Sequence, residues 1–108
     1  MKLDGFTVLE KIELLQRSIL VNSYAYYMMD SNILSDYQYD ANTRMLRQLK
    51  REYPNEYSKS RYFKYFKDFE SGTGFNLIGI LDKELYGRVI SDAMLALDLK
   101  ERRLDDYE

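Results

Sequence analysis

The sequence predicts a mainly α fold: a single compact domain in which an antiparallel helical hairpin carries a C-terminal helical segment. Three observations predict it. Apolar residues recur at three- and four-residue spacing through two long stretches, as one face of a helix requires. Each stretch opens on a capping-box pattern, and the lone proline of the chain, Pro54, closes the second. The expected organisation is one domain over 1–108, with the hairpin at 8–54 and a C-terminal elaboration at 55–104.

Thr7 followed by Glu10 starts the first helix, because side chain and backbone can satisfy each other's orphan groups at that spacing. Val8, Ile12, Leu15, Ile19, Leu20, Tyr24 and Tyr27 then form one apolar stripe, so a helix is expected over about 8–30, stopping near Asp30 to Asn32. Ser35 with Gln38 repeats the capping pattern after a short connection. The second stripe is Tyr39, Met45 or Leu46, Leu49 and Tyr53. That helix is expected over about 36–53, since the residue before a proline avoids helical geometry. So short a connection makes the two helices antiparallel neighbours, with Leu15, Ile19, Leu46 and Leu49 buried between them.

The second half is less periodic. Tyr62, Phe63, Phe66 and Phe69 suit a short helix, although Tyr65 interrupts the pattern. Ser71-Gly72-Thr73-Gly74 reads as a turn, and Phe75 to Leu81 is an apolar run too short to assign. Asp82 can cap a final helix whose broad apolar face is Leu85, Tyr86, Val89, Ile90, Ala93, Met94 and Leu97. The charged tail from Lys100 to Glu108 is expected to fray.

Composition narrows the function classes. The chain has 45% hydrophobic and 31% charged residues, which places it among globular domains rather than disordered tails. It contains no cysteine and no histidine, so thiolate zinc sites, cysteine nucleophiles and serine–histidine triads are excluded. A net charge of −2 gives no electrostatic footprint for nucleic acid. No apolar run approaches the length of a membrane span, and Met1-Lys2-Leu3-Asp4 is unlike a signal peptide. The expected compartment is the cytoplasm. Eleven tyrosines without a tryptophan supply side chains that suit either the margin of a small core or a binding surface.

The turn end of the hairpin gathers the chemistry. Tyr26 and Tyr27 fall in the last turn of the first helix. Asp36, Tyr39 and Asp40, at i, i+3 and i+4, share one face near the start of the second. The connection folds the two sets together. Aromatic faces beside two carboxylates suit a flat, cationic heterocycle bearing a hydroxylated sugar. The same residues also suit plain architecture, with the tyrosines packing the hairpin and Asp36 complementing the helix dipole. Both readings stand at this point.

The stretch from about Leu14 to Pro54, and above all Tyr24-Ala25-Tyr26-Tyr27-Met28-Met29-Asp30 followed by Ser35-Asp36-Tyr37-Gln38-Tyr39-Asp40, resembles the N-terminal Ia subdomain of bacterial NAD-dependent DNA ligases. Their signature is roughly YYxxDxPxxxDxEYD. The resemblance runs without a gap from Tyr24 to Pro54 and implies that Tyr26, Tyr27, Asp36, Tyr39 and Asp40 occupy the nicotinamide mononucleotide pocket of that subdomain. It departs at Asn32 and Ser35, where prolines are usual, and at Asn42, where leucine is expected. Free-standing hairpins of this kind look like small proteins of bacteriophages and prophages, which implies the cytoplasm of a bacterial host.

Three further motifs carry less. Lys2-Leu3-Asp4-Gly5 reads as KxDG, the motif whose lysine is adenylylated in ligases. Here it precedes the hairpin instead of lying in a nucleotidyltransferase domain, so Asp4-Gly5 is read as a turn before the helix. Lys59, Arg61, Lys64 and Lys67 interleave with aromatics as in a single-strand surface, but Glu56, Asp68 and Glu70 offset the charge. The Ser71–Gly74 segment lacks P-loop spacing and lysine. The sequence thus points to a non-catalytic binding protein engaging a nicotinamide-type nucleotide. No cofactor is required, and weak binding of NAD or nicotinamide mononucleotide is expected. The competing class is an interaction protein or inhibitor docking on a host ligase, replication or defence protein.

Overall fold

A computed structural model describes residues 4–67, 69 and 83–105, and every described element is helical. Helix α1 spans Val8–Met28, α2 Asp36–Glu52, α3 Pro54–Ser58, α4 Phe63–Phe66 and α5 Lys83–Asp105. Both capping boxes form as the sequence demands. Glu10 N–H donates to Thr7 Oγ1 at 3.1 Å while Thr7 N–H donates to Glu10 Oε1 at 3.0 Å. Ser35 and Gln38 exchange the same pair of bonds at 3.1 and 3.2 Å.

Helix α1 is the central element, packed against both α2 and α5. Ser23 meets Tyr39, and Gln16 meets Ser60, so the chain retraces α1 in the reverse direction, as a short-looped hairpin must. The core joins Ile12, Leu15, Ile19 and Leu20 of α1 to Leu46 of α2, Tyr57 of α3, Tyr65 and Phe66 of α4, Phe69, and Val89 of α5. Tyr57 locks α3 to α4 by donating its hydroxyl to the Phe66 carbonyl at 2.6 Å. On α5, Asp92 pairs with Arg17, and Tyr86 meets Tyr24 edge to face at 5.5 Å.

Several expectations are corrected. Helix α1 ends at Met28, because Asp30 takes the left-handed region at φ 49°, a conformation Asp tolerates better than most residues. The second helix does end just before Pro54, as expected, but the proline also opens a further helix. It occupies the first turn of α3, where its missing N–H costs no hydrogen bond. Leu46, not Met45, faces inward, and Leu49 is only partly buried. The aromatic segment after Arg61 is a single turn of helix, and Tyr65, the residue that interrupts the pattern, is buried. On α5, Val89 and Ala93 are fully buried but Met94 is exposed. The tail does not fray at Lys100, since α5 runs on to Asp105. The expectations for Lys2, for residues 71–81 and for Asp82 as a cap lie outside the described residues.

Candidate functional site

The hairpin's turn end is concave because of how α1 stops and α2 starts. Met29 and Ser31 N–H groups both reach back to the Ala25 carbonyl, at 3.2 and 3.0 Å, and left-handed Asp30 turns the chain off the helix axis. Residues 32–35 then cross to the N-cap of α2. Ser35 stands where the resembling family favours proline, and its side chain caps Gln38 N–H, a bond proline cannot make. From the far side, Lys100 of α5 donates its ammonium to the Asn32 carbonyl. The connection is tied down by a distant helix rather than by prolines.

This geometry encloses a cavity of about 350 Å³, at the small end of ligand pockets, which run roughly 300–1,000 Å³. All five residues singled out in the sequence line it: Tyr26 and Tyr27 from α1, and Asp36, Tyr39 and Asp40 from α2. The tyrosine rings are not packed away. Tyr26 is 52% and Tyr27 39% exposed, and they meet edge to face at 4.9 Å. Asp36 and Asp40 are exposed as well. Tyr39 differs, being half-buried against the core, with its hydroxyl sharing a 2.9 Å hydrogen bond with Ser23. Burial holds the Tyr39 phenol above its ordinary value of 10.0. The Ser23 bond opposes that shift, and Tyr27 and the Asp40 carboxylate add to it.

Sequence reasoning missed the rest of the lining. Asn22 and Ser23 lie one turn below Tyr26 and Tyr27 on the same face of α1, and Asn32, Ile33 and Leu34 come from the connection. The signal for the first two was present. They sit four residues before the marked tyrosines, and two polar residues interrupt the expected apolar stripe there. Both are buried. Among the described lining residues there is no lysine or arginine, and the cavity carries two carboxylates among polar and apolar walls. Ring faces, carboxylate acceptors and a neutral amide together can hold a flat cation with hydroxyl groups. Among the described residues, no group of acidic side chains gathers as a metal site.

The other motif to place is the basic aromatic segment. Tyr65 and Phe66 are buried and Tyr62 and Phe63 half-buried, so these rings build core rather than a stacking platform.

The family model for the DNA ligase-like, N-terminal NAD+-binding domain matches residues 6–60, more than half of the 108-residue chain. The protein therefore belongs to that family, and the hairpin with its turn-end cavity is the Ia-type subdomain. No solved structure matches the chain. No helix among the described residues is long and apolar enough to cross a membrane.

Proposed function

We propose that this protein is a non-catalytic binding protein whose turn-end cavity holds the nicotinamide half of a nicotinamide-type nucleotide. One observation carries the reading: five residues chosen from sequence spacing converge on a single cavity with exposed tyrosine faces. Tyr26 and Tyr27 offer π-faces to the cationic ring. Asp36 and Asp40 accept hydrogen bonds from ribose hydroxyls, which charged acceptors make stronger, and their charge complements that of the ring. Tyr39 closes the floor. The cavity's size fits a nucleoside half, not a whole dinucleotide. Redox and group-transfer chemistry would belong to the nucleotide, while these residues bind and orient it.

With one side of the nucleotide covered, affinity should be weak, on the order of 0.1–1 mM. Protein NMR with nicotinamide mononucleotide, NAD and ADP-ribose tests the reading. The first two should shift signals of the cavity and ADP-ribose should not. Shifts from ADP-ribose alone would sink it.

A second reading, an interaction protein docking on a host enzyme of phage-infected bacteria, draws on a different observation. Met28 and Tyr37, at the same end of the hairpin but outside the cavity lining, are 52% and 77% exposed. Loss of all nucleotide-induced shifts would bring this reading forward.

A further inference from the structure

One wall of the cavity, Asn32, Ile33 and Leu34, comes from the connection between α1 and α2. On one side of it Ser31 N–H returns to the Ala25 carbonyl, and on the other Ser35 caps α2. Between those ties the backbone lies outside any helix. Ile33 and Leu34 are half-buried, yet among the described residues neither belongs to the core cluster nor packs against it. A segment with so few buried contacts opens easily unless something else holds it. Lys100 of α5 does so, its ammonium donating to the Asn32 carbonyl across 68 positions of sequence. Helix α5 is itself firmly seated on α1. Val89 and Ala93 are fully buried, and Asp92, about two turns before Lys100, pairs with Arg17.

We propose that Lys100 is a positioning residue of the cavity, holding the 32–34 wall in the shape that takes a nicotinamide nucleoside. Helix α5, an element outside the hairpin, thereby becomes part of the binding site. The inference rests on the nucleotide reading above and adds the support that reading leaves open. Lys100 is not among the described lining residues, so it acts through the Asn32 carbonyl rather than on the ligand. A bare charge and a brace predict opposite signs. As a bare charge, the ammonium repels a cationic ring, and its removal would tighten binding of a cationic nucleoside. As a brace, it orders the wall before the ligand arrives, and its removal weakens every ligand that uses the wall.

The test is NMR titration of the full chain with nicotinamide riboside and nicotinamide mononucleotide, in the native form and in Lys100→Met and Lys100→Arg. Lys100→Met should weaken both ligands by a similar factor, roughly three- to tenfold. Its helicity and urea midpoint should match the native chain, because the side chain is exposed. Lys100→Arg, which keeps a cationic donor, should bring both affinities back to within about twofold of native. Riboside binding that is unchanged or tighter in Lys100→Met would overturn the role of Lys100 while leaving the nucleotide reading intact. Loss confined to the mononucleotide would overturn it too, since the ammonium would then be gripping phosphate, and so would a Lys100→Met chain that loses helicity. If neither ligand moves a signal of the native chain, both inferences fall.

Discussion

Tyr39 couples the cavity to the core, since one ring lines the first, packs on the second and shares a hydrogen bond with buried Ser23. Its phenol, raised above 10.0 chiefly by burial, keeps its proton in the folded chain at a pH where the unfolded chain has lost it. Folded protein then binds more protons than unfolded, so stability is fully present below pH 10 and falls as pH rises through the folded value. Alkaline denaturation should therefore show a decline beginning above pH 10 that Tyr39→Phe flattens, at a cost of about 1 kcal/mol at neutral pH for the lost hydrogen bond. Tyr27 and Asp36 act on the ligand instead. Tyr27→Ala or Asp36→Ala should abolish nucleotide-induced NMR shifts with helicity unchanged, because both side chains are exposed and neither belongs to the core cluster. Retained shifts in both variants would place the ligand elsewhere.

Among the elements, α2 joins the core through one fully buried apolar residue. Its buried residues are Leu46 with the polar Asn42 and Thr43, and Tyr39 and Leu49 pack partly buried against the same core. Leu46→Ala should cost ~2–5 kcal/mol in chemical denaturation. Ser35→Ala, which removes the cap beside the cavity, should cost ~0.5–2 kcal/mol. Long helices were legible in the sequence because capping boxes and apolar period agree on the same starts. What escaped had other physical causes. Proline both ends helices and starts them, so Pro54 alone did not reveal α3. Gln16, Asn22, Asn42 and Ser60 are buried polar residues, invisible to a search for apolar stripes. Met94 continues the apolar period of α5 yet points outward, while among the described residues of that helix Val89 and Ala93 are the ones fully buried.

At the scale of the whole molecule, the fold places a cavity with two carboxylates at one end of a hairpin braced by α5. The five candidate residues were legible because helical spacing fixes which side chains share a face. The cavity walls from the connection were not, since residues 29–35 have no period and are shaped by Asp30 and by a contact from Lys100. With no histidine or cysteine in the chain and its KxDG lysine ahead of the hairpin, incubation with labelled NAD or ATP should leave no covalent adenylate. Stable label that vanishes in Lys2→Ala would promote an enzymatic role. The central claim, that the turn end is a slot for a nicotinamide nucleoside half, is tested most directly by mapping backbone and tyrosine-ring shifts during titration with nicotinamide mononucleotide. The expected result is a saturable change confined to Tyr26, Tyr27, Asp36, Tyr39, Asp40 and their neighbours, with a Kd on the order of 0.1–1 mM. Signals that stay in place at about 10 mM ligand, tenfold above the weakest expected Kd, or that move only at α3 to α5, would contradict it.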